Sequence, residues 1–343
     1  MANKFWLLGA LSTVVLAVVL YRTHSASFDW KAFGDTLRSI HWAWLALSIV
    51  MIMLSYLGRA VRWQVMLRPL DHQATLWDLF AATIIGFTAI VILGRPGELV
   101  RPYLIALKGK VPVSSQMASW VLERIFDLFM VLLIFGFALV SVSGHEQHFG
   151  AALQWVFRAG GYFIGIICAI CLALFIVFRN FSGMARERLR GASTILPERF
   201  RSRVNELLDA FLQGVQSTTS GSFVLLLTLY SVIEWAIIIA CYVCLFKAFP
   251  ITVALTLGQV VVFVGLVAFG AVVQIPGIGG GYQLACVLVL TEIFHVPLAP
   301  ASGVASVIWV ITFVVVVPFG VLLSFHEGVH WKNLRHIRKE GGL

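Results

Sequence analysis

The chain has 343 residues, of which 60% are hydrophobic and only 12% charged, and its mean hydropathy is +0.93. A soluble domain of that length needs a far more polar surface, so soluble classes are excluded and a polytopic membrane protein is expected. The formal net charge of +9 would suggest nucleic acid in a soluble chain, but here the basic residues gather in a few loops, as the orientation preference of membrane proteins requires.

Roughly 20 apolar residues cross a hydrocarbon layer ~30 Å thick. Segments with that character lie near 5–21, 42–57, 76–93, 113–140, 158–178, 222–247, 252–275, 282–296 and 300–325. The first lacks an A-x-A-like cleavage site and reads as a retained helix. The expected fold class is all-α, a polytopic integral membrane helical bundle of about six to eight spanning helices. Two Pro/Gly-broken hairpins join them, all in one membrane domain over 1–343. Residues 179–203 carry seven arginines against two glutamates, and the tail at 326–343 adds Lys332, Arg335, Arg338 and Lys339. The loop "SVSGHEQHFGAA" at 141–152 has no Lys or Arg. Counting helices between these loops puts both termini, 58–72 and 179–203 on the cytoplasmic side of a bacterial inner membrane.

In chain order, the first candidate site residues are Arg59 and Arg62 beside Trp63, at the expected cytoplasmic end of the second helix. These residues read either as snorkelling side chains with an aromatic belt or as a headgroup entrance. After the apolar run 76–93 comes "GRPGELVRPYL", which sets Arg95, Glu98 and Arg101 among two glycines and two prolines. On a helix restarting after Gly97, Glu98 and Arg101 are i and i+3 and can pair, while Arg95 projects separately. A guanidinium suits a phosphate by two parallel hydrogen bonds, so Arg95 and Arg101 are candidate phosphate ligands with Glu98 orienting one of them. The alternative is a cytoplasmic loop with ordinary charges. Within 113–140, Glu123 and Asp127 share one helix face and Arg124 can reach Asp127. They either balance the arginines or lock two helices together.

Cys168–Cys171 and Cys241–Cys244 are C-x-x-C pairs inside apolar helices and read as packing cysteines, so no metal or other cofactor is expected. Residues 179–221 read as an amphipathic cytoplasmic connector, with Phe200, Val204, Leu207, Leu208, Phe211, Leu212 and Val215 at helical spacing. Glu234 is a lone carboxylate in 222–247 and a candidate proton carrier. A second break, "QIPGIGGGYQ", follows 252–273. Here Pro276, Gly277, Gly279, Gly280 and Gly281 offer backbone N–H groups, and Tyr282 and Gln283 side-chain hydrogen bonds, to an anion. A flexible turn without a ligand is the other reading.

Paired Pro/Gly interruptions in corresponding positions of two halves point to a transporter's substrate site. Charge parity starts and ends 76–112 inside and 249–298 outside. That pattern fits either an inverted repeat of two re-entrant hairpins or ordinary pairs of spans with Pro-Gly turns.

"GRAVRW" (58–63), "GRPGELVRPYL" (94–104), "SWVLERIFDL" (119–128) and "IPGIGGGYQ" (275–283) resemble the flippase-like membrane domain family of lysylphosphatidylglycerol synthases. The resemblance covers most of the chain. It implies lipid handling without lysine transfer, since no aminoacyltransferase domain accompanies the membrane segment. Gln283 departs from the acidic residue often found there in the family, which puts ion coupling in doubt. The expected function is movement of an anionic or phosphate-linked lipid between leaflets, without covalent chemistry. Expected partners are membrane lipids with phosphate-bearing headgroups and envelope-biosynthesis proteins, and not nucleic acid. An enzyme acting on lipid headgroups is the alternative, although H-E-x-x-H and G-x-S-x-G motifs are absent. A non-transporting accessory subunit is the third reading.

Overall fold

A computed structural model describes residues 28–68, 73–143, 221–270, 274–275 and 279–327. The segments expected at 5–21 and 158–178, the connector before residue 221, Cys168, Cys171 and the basic tail beyond Glu327 lie outside the described residues.

The described elements are helical apart from one two-residue strand pair. Helix α1 (Trp30–Arg38) is capped by Asp29, whose side chain accepts from the Ala32 N–H at 2.9 Å. Helix α2 (Trp42–Leu67) runs 26 residues, and α3 (Leu76–Leu93) opens with a capping box between Thr75 and Asp78. A 3₁₀ segment (Arg95–Leu99) leads into α4 (Val100–Gly109), then come α5 (Val113–Ser143) and α6 (Gly221–Lys247). Helix α7 (Leu257–Gly270) precedes strands β1 (Gln274–Ile275) and β2 (Gly279–Gly280), which pair antiparallel, and α8 (Gly281–Glu292) follows. Helix α9 (Leu298–Trp309) passes through a π segment (Val310–Val314) into α10 (Val316–His326).

Among the described residues, Trp42–Leu67, Leu76–Leu93, Phe223–Lys247 and Leu298–His326 are long and apolar enough to cross a membrane. Outward faces are greasy, as lipid contact requires: Leu225, Val140 and Phe325 are each at least 70% exposed. Lipid tails are as apolar as leucine, so the helices are held by close packing and internal polar contacts rather than by hydrophobic burial. One core joins α6 to α9 around Phe246, Phe249, Phe263 and Leu290. Another joins α2, α3 and α4 around Trp63, Leu79, Ile85 and Ile105.

Two helical hairpins open at opposite ends of the bundle. In the first, α3 rises about 27 Å and α4 returns about 15 Å, at 1.5 Å per residue. Its two ends meet: the Gln73 N–H donates to the Gly109 carbonyl at 3.2 Å, and Lys108 pairs with Asp78 at 2.9 Å and with Glu327 just past α10. In the second hairpin, α7 and α8 pack side by side and run about 21 Å and 18 Å. It opens at the end carrying Trp42 and Lys247, where the His41 N–H donates to the Ala248 carbonyl at 2.9 Å.

Two expectations change. Helix α2 continues through Leu67 instead of giving way to a loop at residue 58, because Arg59 and Arg62 find carboxylates across the bundle. The chain after Gly94 does not resume as an α-helix until Val100. The tighter 3₁₀ turn carries Glu98, with the Gly97 N–H bonded to the Gly94 carbonyl at 2.9 Å.

Candidate functional site

Four helices each turn polar side chains toward one point. On α2, Arg59 and Arg62 are one turn apart; on α5, Glu123 and Asp127 are; on α6, Ser231 and Glu234 are. Helix α4 adds Arg101, which its place near the top of the first hairpin brings against Gly86 of α3.

Arg62 lies at the centre with no exposed surface. Its Nη2 donates to Glu123 Oε1 at 2.8 Å, and its Nη1 donates to Asp127 Oδ1 at 2.8 Å and Ser231 Oγ at 3.0 Å. Glu234 Oε2 stands 3.3 Å from the same Nη1. Arg59 Nη2 pairs with Glu234 Oε1 at 2.8 Å, and its Nη1 reaches Asp127 at 3.5 Å. Arg101 Nη1 spans both Glu123 oxygens at 2.9 and 3.0 Å, and its Nη2 donates to the Arg59 carbonyl at 3.3 Å. Arg124 completes the set from the rim, 3.5 Å from Asp127 and 3.7 Å from Glu123.

Aromatic faces support the cations. The Arg101 guanidinium lies 4.2 Å from the Trp63 ring centre and that of Arg59 lies 5.1 Å from Phe87. Trp63 is wholly buried and donates through Nε1 to Gln116 Oε1 at 2.9 Å. It is therefore a platform inside the bundle and not part of an interfacial belt. Arg59 and Arg62 likewise do not snorkel: buried guanidiniums with carboxylates at 2.8 Å are held in place by the high cost of leaving them unpaired.

The balance of this cluster is uneven. Arg59, Arg62, Arg101 and Arg124 face Glu123, Asp127 and Glu234, which leaves one formal positive charge in excess. The buried Nε–H groups of Arg62 and Arg101 have no hydrogen-bond acceptor. Both Glu234 oxygens likewise accept no hydrogen bond although Arg59 and Arg62 stand against them, so the cluster holds unmatched donors and unmatched acceptors together, an uncommon state for buried polar groups.

The other candidates are placed as follows. Arg95 and Glu98 belong to the 3₁₀ segment, and Glu98 is partly buried; the Arg95 side chain is outside the description. Arg101 is bridged to Glu123 on α5. Pro276 and Gly277 lie outside the described residues, Gly279 and Gly280 form β2, and Gly281 opens α8. Gly280 has φ 78°, a conformation that favours glycine. The Tyr282 hydroxyl is engaged with those of Tyr242 and Thr312, and its ring meets Phe313 edge-on at 5.0 Å, so this side chain is used internally; Gln283 is half-buried in the first turn of α8. Cys241, Cys244 and Cys286 are buried free thiols, and among the described residues no group of His, Cys, Asp and Glu could hold a metal.

Ser231, Gln116 and Phe87 were not anticipated. Ser231 sits one turn before Glu234, a spacing that would have found it; Gln116 and Phe87 are joined to the site only through α2 and left no local signal.

Spanning-length apolar helices packed round a buried guanidinium–carboxylate network define a multi-pass helical membrane protein. The chain belongs to the family described as "Lysylphosphatidylglycerol synthase TM region", which matches residues 7–320. It is also similar to a protein named "Glycosyltransferase AglD" of Haloferax volcanii, at 30% identity over 102 residues. That match takes in 29% of this chain and 16% of the archaeal protein, so the chain spans a small part of that relative's length. No solved structure matches.

Proposed function

We propose that this protein moves an anionic or phosphate-linked lipid between the leaflets of a bacterial inner membrane, without covalent chemistry. The observation that carries the reading is the pair of orphaned Nε–H donors on Arg62 and Arg101, buried where four helices meet, with a fourth guanidinium, Arg124, at the rim. A phosphate diester brings one negative charge to offset Arg124 and acceptor oxygens for the Nε–H groups that no carboxylate of the cluster reaches. All three carboxylates are engaged by guanidiniums, an arrangement suited to holding charge rather than to nucleophilic attack.

The hairpins support the same reading. Helices of about 15 to 21 Å fall short of a hydrocarbon layer of ~30 Å, so α4, α7 and α8 read as re-entrant arms. One hairpin opens at the end that carries Arg68, Lys108 and Lys110 and the other at the opposite end, as an inverted repeat requires. Positive-inside bias makes the Lys108 end cytoplasmic and, with it, both termini. The family expectation is lipid handling, and envelope-biosynthesis proteins remain the macromolecular partners this reading favours. The archaeal relative's name favours a second reading, in which the membrane segment serves glycosyl transfer.

Leaflet exchange of fluorescent phosphatidylglycerol in liposomes, followed by dithionite quenching, separates the two. Arg101→Gln should slow exchange about 10- to 100-fold, the equivalent of one charge-assisted hydrogen bond at about 1.5–3 kcal/mol. The variant should remain folded, because Glu123 keeps Arg62 at 2.8 Å and the glutamine amide can still donate to it. Exchange at the wild-type rate, or headgroup conversion with leaflets unchanged, rejects the proposal.

Glu234 is assigned the coupling proton, since neutralising it would add a second excess positive charge beside Arg59. Glu234→Gln should exchange lipid at one rate in mildly acidic and mildly alkaline buffer, where the wild type should respond to pH. An identical pH profile in both removes Glu234 from that role.

A further inference from the structure

Arg124 differs from the three inner guanidiniums. Its side chain is 43% exposed, against 12% or less for Arg59, Arg62 and Arg101, and its two ion pairs are long at 3.5 and 3.7 Å. It sits eleven residues into α5, about 17 Å from the start of that helix. The next residue, Ile125, begins a stripe that continues through Phe129, Leu133 and Phe137, spaced four apart and exposed by 36 to 54%. Such a stripe on a long helix is the face it turns to lipid. A half-exposed guanidinium beside that stripe, held only by long pairs to Glu123 and Asp127, keeps N–H donors for a visiting anion.

The path inward is continuous. Arg124 Nη2 approaches Glu123 Oε2, and the same oxygen accepts from Arg101 Nη1 at 3.0 Å; the other Glu123 oxygen meets Arg62. An anion resting on Arg124 is therefore one carboxylate away from the orphaned donors of Arg101 and Arg62. Glu123 can pass its guanidinium partners to the incoming group without leaving any of them in hydrocarbon.

We propose that Arg124 is the lateral entrance of this site: the phosphate of a membrane lipid arrives sideways from the leaflet, meets Arg124 first, and keeps its acyl chains along the Ile125–Phe137 stripe. This inference rests on the transport reading above. It commits to a lipid phosphate and against a water-soluble phosphate entering from the aqueous end.

The test uses the full chain in phosphatidylcholine vesicles containing a trace of fluorescent phosphatidylglycerol. Arg124→Gln should slow exchange about tenfold by removing the steering charge, and Arg124→Lys should restore most of it. Inorganic phosphate at high concentration should leave the wild-type rate unchanged beyond the effect of a matched chloride salt. Normal exchange in Arg124→Gln, with Arg101→Gln slow, overturns the entrance alone; specific inhibition by inorganic phosphate overturns lateral entry. Equal rates in wild type and Arg101→Gln remove the transport reading and this inference with it. Should Arg124→Gln fail to fold, wild-type protein is photolysed with a phosphatidylglycerol carrying a diazirine in its acyl chain. Crosslinks on α5 between Ile125 and Phe137 support the entrance, and crosslinks confined to other helices overturn it.

Discussion

Arg62→Met should leave little folded protein. The substitution removes the guanidinium that holds all three acidic residues of the cluster most closely, at 2.8, 2.8 and 3.3 Å, where Arg59 reaches two of them only at 3.5 and 3.8 Å. Asp127 would keep only its 3.5 Å approaches to Arg59 and Arg124, and Ser231 would lose its donor. Breaking a buried pair from one side costs about 3–5 kcal/mol, because the partner is stranded in a medium that solvates it poorly. Unfolding by sodium dodecyl sulfate in mixed micelles measures this. The double variant Arg62→Met with Asp127→Leu should recover part of the loss, since it removes a stranded anion along with the cation. Arg62→Met with wild-type stability would show that the network does not hold α2, α5 and α6 together. The contrast with Arg101→Gln is the informative one: at the centre the charge is structural, and at the top of the hairpin it is available.

The positions of the helices were legible because hydropathy is additive along the chain. The apolar run at 76–93 and the return at 300–325 correspond to α3 and to the α9–α10 span within two residues. Pairs on one helix were legible for the same local reason: Glu123 and Asp127 share a face, and Arg124 does reach Asp127. What crosses between helices was not. Arg59 and Arg62 look like interfacial anchors when only their own helix is read, because the carboxylates that enclose them stand more than 60 residues away on α5 and α6. Glu98 and Arg101 were assigned to one helical turn, yet Pro96 and Gly97 allow a 3₁₀ turn there. Arg101 then finds Glu123, 22 residues on, as its partner. The π segment at 310–314 and the hydroxyl contact of Tyr242 with Tyr282 depend on how α9, α8 and α6 lean together, and no periodicity encodes that.

Gly97→Val should slow leaflet exchange about 10- to 100-fold without altering a single charge. A Cβ at Gly97 would overlap the Ala89 carbonyl of α3, so the 3₁₀ segment folds back on the helix only because nothing projects there. Gly86 serves the return arm in the same way, for a Cβ there would lie 2.6 Å from Arg101 Cβ. Neither obstacle is the tip of a flexible side chain, so the strain has to be met by moving backbone, at about 1–3 kcal/mol or more. Moving α4 away from α3 carries Arg101 away from Glu123 and off the Trp63 face, which are held at 2.9 and 4.2 Å. Exchange should therefore fall as far in Gly97→Val as in Arg101→Gln, and Gly86→Ala should lie between them and wild type. Gly58→Ala and Gly136→Ala, where an added Cβ meets nothing within 4 Å, should exchange lipid normally. Full activity in Gly97→Val would mean that transport does not need Arg101 at this depth, however tightly the hairpin is packed. Loss of exchange together with retained stability in the micelle assay would tie function to the seating of the hairpin itself.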